Sequence, residues 1–180
     1  MSLTPSTIIP LDTKAPDFNL PTTSGKNITI DDFKNNKVLV IMFICNHCPY
    51  VIHVKNELVR IGNDYSDKSV GIIGINSNDP DYDSSDSFEN MKNEDYPFPY
   101  AFDETQEVAK AYKAACTPDI YVFDQERKLV YRGQLDDSRP GNNIPVTGID
   151  LRNAIDAVLE GKEVDLNQKP SSGCGIKWKH

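Results

Sequence analysis

Seven consecutive apolar residues, Val38-Leu39-Val40-Ile41-Met42-Phe43-Ile44, run directly into Cys45-Asn46-His47-Cys48. An apolar, β-branched run of this length, without polar alternation, predicts a strand buried on both faces. Pro49-Tyr50-Val51-Ile52 then reads as the start of a helix. The two cysteines therefore stand where a buried strand hands over to a helix.

That context gives the spacing chemical content. Unpaired backbone amides and the helix dipole at a helix amino terminus stabilise a thiolate and lower its pKa. Cys45 is the expected nucleophile. Cys48, one helical turn further in, is expected to resolve the mixed disulfide by attacking it and releasing the product. The other reading of the pair is a metal site. Zinc wants further ligands at matching spacing, and Cys116 and Cys174 stand alone, so a copper or zinc centre would need His47 or His53 beside Cys45 and Cys48.

The rest of the chain alternates short apolar strands with helix-like segments, the pattern of an α/β sheet covered on both faces. Val51, Val54, Leu58, Ile61 and Tyr65 recur at helical spacing, and residues 69–75 read as a second buried strand. Residues 84–93 predict a helix with an acidic surface, and the carboxylates between Asp79 and Asp95 read as a solvated face. Residues 99–103 predict a short strand, and 104–114 a helix capped through Asp103. Residues 120–123 and 128–132 form an expected antiparallel hairpin, and 150–159 an amphipathic helix stopped by Gly161. One domain, residues 1–162, is expected, with 163–180 a polar tail carrying Cys174 in a flexible Gly-Cys-Gly context.

Composition narrows the partners. A chain of 180 residues can bury one good core. A formal charge of -8 argues against nucleic acid or an anionic membrane surface as partner. No apolar run approaches the length of a membrane span and nothing resembles a signal peptide, so a cytoplasmic location is expected.

Three stretches together resemble the thioredoxin superfamily, in its peroxiredoxin-like branch, the alkyl hydroperoxide reductase / thiol-specific antioxidant group. They are Ala15-Pro16-Asp17-Phe18-Asn19-Leu20, the strand with Cys45-Asn46-His47-Cys48, and Thr117-Pro118-Asp119-Ile120-Tyr121-Val122-Phe123-Asp124. Tyr131-Arg132-Gly133-Gln134-Leu135 and Gly173-Cys174-Gly175-Ile176-Lys177-Trp178 are similar to a peroxiredoxin-like thioredoxin subfamily. The resemblance implies a thioredoxin-like fold, a central mixed sheet flanked by helices on both faces. It implies a cis Pro118 lying against the two cysteines, with the Thr117 backbone open to pair with a substrate strand. His47, just before Cys48, is similar in placement to the histidine of strongly oxidising oxidoreductases, so it is expected to raise the potential above thioredoxin's roughly -270 mV. True peroxiredoxins carry a proline and a threonine shortly before the reactive cysteine, whereas Ile41-Met42-Phe43-Ile44 offers no oxygen-bearing side chain.

The expected activity is thiol-disulfide exchange with protein or small-molecule disulfides and thiols, recharged by a reductant such as thioredoxin or glutathione. No organic cofactor is implied, because the electrons reside in the sulfur pair. A thiol peroxidase using Cys45, closed by Cys48 or Cys174, and a metal-holding protein are the competing readings. Cys116 reads as a buried inert residue, Cys174 as a candidate additional resolving thiol, and Asp136-Asp137-Ser138-Arg139 as a polar turn with an internal ion pair. Asp17 and Glu57 are candidate proton acceptors for Cys48.

Overall fold

A computed structural model describes residues 3–180. Its first strands are β1 (Leu3–Pro5), β2 (Asn19–Pro21), β3 (Asn27–Thr29) and β4 (Val38–Phe43), followed by helix α1 (Pro49–Asp64). Then come β5 (Val70–Asn76), α2 (Phe88–Met91), β6 (Tyr100–Phe102), α3 (Glu107–Ala111) and β7 (Cys116–Thr117). The chain finishes with β8 (Asp119–Phe123), β9 (Leu129–Gly133), α4 (Ile149–Leu159) and β10 (Ser172–Gly175).

Five strands form the central sheet in the order β6-β5-β4-β8-β9. β4 is its middle strand, parallel to β5 and antiparallel to β8, and every residue of it is buried. Because successive side chains point to opposite faces, β4 feeds two cores. Val38, Val40 and Met42 pack with Val51, Leu58 and Ile61 of α1 and Leu151 and Ile155 of α4. Leu39, Ile41 and Phe43 pack on the other face with Phe33, Ala109 and Tyr112. This is the mixed sheet with helices on both faces that the family resemblance implies, and the hairpin β8-β9 forms as expected, with an irregularity between Val122 and Phe123.

Two helices are shorter than their sequence suggests. Residues 84–93 split into a 3-10 turn, Ser84–Asp86, and α2, because Ser87 is extended and its Oγ accepts from the Asn90 amide at 3.2 Å. Serine and aspartate side chains compete with helix propagation by bonding nearby backbone. α3 begins only at Glu107, since Gln106 takes a left-handed conformation at φ 65°. Asp103 still serves that helix, accepting from the Val108 and Ala109 amides at 3.3 and 2.9 Å.

The last residues are laid back on the molecule. β10 pairs antiparallel with β1 on one edge and β7 on the other, forming a second sheet of three strands. Beyond it, the Lys177 amide donates to Asn78 Oδ1 and the Asp79 amide to the Lys177 carbonyl, both at 2.9 Å. Lys110 lies over the Trp178 ring and Lys177 over Tyr82, the cation and aromatic contacts that fasten this end. The flexible setting expected of Cys174 is replaced by a bonded strand; Ser-Gly-Cys-Gly has no apolar periodicity, and backbone pairing on both edges makes it a strand.

β8 opens with a buried ion pair. Arg132 of β9 is bonded through both terminal nitrogens to the Asp119 carboxylate, its guanidinium stacked 3.9 Å from the Tyr121 ring centre. Asp119 also accepts from the Ala115 amide at 3.0 Å, so the pair holds the segment that carries Thr117 and Pro118. Removing one partner of such a pair leaves an uncompensated buried charge. Arg132→Leu is expected to lower stability by about 3–5 kcal/mol, read as a fall in the urea midpoint at an unchanged m-value.

A candidate thiol site where a strand meets a helix

Cys45 follows the carboxyl end of β4, and Cys48 is the N-cap residue of α1, with Pro49 in the first turn. Both sulfurs are covered: Cys45 is 1% exposed and Cys48 0%. The segment that faces them is Thr117-Pro118, whose peptide bond is cis. Cys45 Sγ lies 3.3 Å from the Thr117 hydroxyl, and Cys48 Sγ 3.4 Å from the Thr117 carbonyl oxygen. One residue therefore touches both sulfurs, by side chain and by backbone.

A third sulfur completes the cluster. Cys174, on β10, stands opposite Thr117 in the β10-β7 register and brings its Sγ to 2.6 Å from Cys48 Sγ. The Thr117 edge expected to await a substrate strand is consequently paired with the protein's own β10, and Thr117 is buried at 3% exposure. Pro118 lines a small cleft with Tyr50, Leu135, Ser138, Arg139 and Ser172.

Beneath the motif lies a carboxylate that the sequence reading assigned to a solvated face. Asp86 is 0% exposed and accepts from the Asn46 amide at 2.6 Å, Asn78 Nδ2 at 3.0 Å, Asn76 Nδ2 at 3.2 Å and His47 Nδ1. These donors compensate its burial. Asn46 is tied down further, donating to the Ser85 carbonyl and accepting from the Tyr100 hydroxyl, each at 2.7 Å. Nothing in the run Asp83-Ser84-Ser85-Asp86 separates the buried acid from its neighbours, and acidic composition alone points to solvent.

His47 is thus bonded to Asp86 rather than to a sulfur, and among the described residues its Nε2 is buried with no hydrogen-bond partner. Donor atoms of Cys45, His47 and Asp86 lie within 4.8 Å of one another, so these three could hold a metal ion, at the cost of the bonds Asp86 now makes. His53, the other histidine of the metal reading, is engaged elsewhere, 2.7 Å from Ser138 Oγ. Glu57 is taken up by Arg60 and Arg152, and Asp17 is exposed, so neither candidate proton acceptor is directed at Cys48.

The electrostatics invert one expectation. The Cys45 thiol donates to Cys48, and that bond, burial and the Asp86 charge all push the Cys45 pKa up. The same bond, with help from Cys174, Thr117 and the Val51 amide, holds Cys48 down at about 4 in spite of its burial. The helix end adds to this through the Val51 amide, since Cys48, not Cys45, is the residue that caps α1. Cys174 and Cys116 are each pushed up to about 12, first of all by burial. Cys116 directs its thiol to the Pro118 carbonyl at 3.7 Å. In the turn after β9, Asp136 bonds the Ser138, Thr147 and Gly148 amides, while Arg139 donates to carbonyl oxygens and Ser172. The internal ion pair expected there is replaced by backbone bonding.

Residues 11–132 match the model of the AhpC/TSA family. No curated protein matches the chain. Among solved structures, an uncharacterized conserved protein from Geobacillus kaustophilus is 56% identical, with a TM-score of 0.97 over 99% of this chain and 97% of its own. A hypothetical protein from Sinorhizobium meliloti is 47% identical, with a TM-score of 0.96 over 98% of each. An exposed lipoprotein thioredoxin from Streptococcus pneumoniae aligns at a TM-score of 0.58 over 81% of this chain and 99% of its own; at 22% identity it speaks for the fold alone, which is thioredoxin-like.

The reduced protein is expected to carry a thiolate in mild acid. Its ultraviolet thiolate band should bleach as the pH falls through about 4, be absent at neutral pH in Cys48→Ser, and persist in Cys116→Ser. Because this folded pKa lies below the roughly 8.5 of an unfolded cysteine, the Cys48 contribution to stability is complete above that value. It is lost as the pH falls toward 4. A bleaching midpoint at thioredoxin's roughly 7 would place the charge differently.

Proposed function

The chain belongs to the AhpC/TSA family, and on that footing we propose that it is a thiol-disulfide oxidoreductase cycling Cys45 and Cys48 between dithiol and disulfide. The observation that carries this reading is the meeting of Cys45 and Cys48 at the strand-to-helix junction, with Thr117 touching both sulfurs by its hydroxyl and its carbonyl.

The first step is attack by Cys45 on a substrate disulfide. Cys45 attacks as the thiolate it becomes when its proton passes to Cys48: a Cys45-substrate S–S bond forms, the substrate's S–S bond breaks, and the departing sulfur takes that proton from Cys48 and leaves as a thiol. Cys48, again a thiolate, then attacks the Cys45 sulfur, forms Cys45–Cys48 and expels the second substrate thiolate. Cys45 is assigned the outward role because Cys48 is hemmed in by Cys174 and the Thr117 carbonyl. Thr117 Oγ1 can donate to the Cys45 sulfur once that sulfur has lost its proton. At 1% exposure, Cys45 meets an outside disulfide only when the cover over it opens locally.

Peroxide reduction is the less favoured reading. Ile41-Met42-Phe43-Ile44 places no oxygen-bearing side chain before Cys45 to grip a peroxide, where true peroxiredoxins carry a proline and a threonine. Protein or small disulfides are the proposed substrates, thioredoxin or glutathione the proposed source of electrons, and the cytoplasm the proposed setting.

Two measurements bear on this. Cys48→Ala is expected to leave Cys45 covalently joined to its substrate, identifiable by mass spectrometry after acid quenching; no adduct at Cys45 would remove it as the attacking sulfur. The Cys45–Cys48 couple is expected to equilibrate with glutathione at a potential above thioredoxin's roughly -270 mV, since a stabilised Cys48 thiolate favours the reduced form. A value at or below thioredoxin's would contradict that stabilisation.

A further inference from the structure

We propose that Cys174 is a third redox thiol of the site, which exchanges with the Cys45–Cys48 disulfide by attacking Cys48. The proposal rests on the oxidoreductase reading and extends it from a pair of sulfurs to three.

The geometry that carries it is a strand built to hold one sulfur still. β10 is bonded along both edges, Leu3 opposite Cys174 on one side and Thr117 opposite it on the other. Gly173 lets the strand approach β7 closely, because a Cβ there would run into the Thr117 carbonyl. Beyond the strand, the Lys177 carbonyl accepts from Gln106 Nε2 at 2.8 Å and the Lys179 amide donates to Gln106 Oε1 at 2.9 Å. Cys174 is 2% exposed, and its Sγ stands 2.6 Å from Cys48 Sγ, inside the ~3.5–4.0 Å of ordinary nonbonded heavy-atom contact. The strand also occupies the edge of Thr117, the residue that touches both Cys45 and Cys48. Cys174 therefore approaches Cys48 from within the molecule.

The exchange balances without any added oxidant. As the Cys174 sulfur attacks Cys48, the Cys48–Cys174 bond forms, the Cys45–Cys48 bond breaks, and the proton that Cys174 gives up passes to the departing Cys45 sulfur. Electrons are redistributed and none is lost. The oxidising equivalents are then parked in a buried Cys48–Cys174 disulfide, and Cys45 is a thiol again, ready to engage a second substrate or the reductant.

Trypsin separates the two cysteine-bearing segments, releasing residues 38–55 with Cys45 and Cys48, and residues 163–177 with Cys174, since the Lys169-Pro170 bond resists cleavage. Folded Cys45→Ser, and Cys45→Ala as a second variant, are treated with the two-electron oxidant diamide, blocked by alkylation and digested. The expected result is 38–55 joined to 163–177 as the main disulfide species of the monomer, lost on adding Cys174→Ser and kept on adding Cys116→Ser. Recovery of Cys48 and Cys174 both alkylated in both variants, or joined only between molecules, overturns the proposal. Cys174→Ser protein, in which the exchange is blocked, is oxidised alongside and reports separately on the pair: a disulfide internal to 38–55 supports the Cys45–Cys48 cycle, and its absence sinks that cycle whatever the Cys45 variants do.

Discussion

A strand buried on both faces of a sheet can present chemistry only where it ends, and everything at this site depends on where β4 stops. The last apolar side chain, Ile44, belongs to the core beneath α1, and the next residue is Cys45. One turn of chain later Cys48 caps α1, so a single crossing from strand to helix sets the two sulfurs against each other. The opposing wall is fixed independently. The Arg132–Asp119 pair anchors β8 just after Pro118, which leaves Thr117 with its hydroxyl on one sulfur and its carbonyl on the other.

Charge at the site is managed by placing one acid below it. Asp86 takes four donors, which compensate its burial, and its carboxylate bears on Cys45 more than on the helix cap. The helix terminus pulls negative charge toward Cys48 at the same time. The outcome is a division of labour in which one sulfur keeps its proton and the other does not. Had the cap fallen at residue 45, both influences would have competed over the same atom.

How much of this could be read from residues alone varied with the kind of interaction. The central strands were legible because their apolar runs leave no alternative, as were α1 and α4, whose apolar spacing follows one helical face. Cys45 and Cys48 were legible because their spacing sits at a strand-to-helix junction. Asp86 was not: it is one carboxylate in an acidic stretch, and its burial comes from Asn46, Asn76 and Asn78, whose convergence is purely spatial. β10 was hidden for a different reason. It is built from serine, glycine and cysteine, has no hydrophobic period, and exists because two other strands supply its bonding partners. Thr117 was anticipated as an open edge through the family resemblance, and the same backbone pairing that closes it also brings in Cys174.

The two-sided packing of β4 has a bearing on how such a protein can change. The aromatic cluster of Phe43, Tyr112, Tyr121 and Phe123 lies on the face away from the sulfurs, whereas Cys45, Cys48 and Cys174 share a core with α1 and α4. Drift at Phe43, Tyr112 and Phe123 can therefore alter robustness to heat or denaturant while leaving the redox chemistry untouched, whereas Tyr121, stacked on Arg132, is tied to the wall that carries Thr117. Descendants of one ancestor could diverge in hardiness without diverging in reactivity, because the sheet insulates one layer from the other.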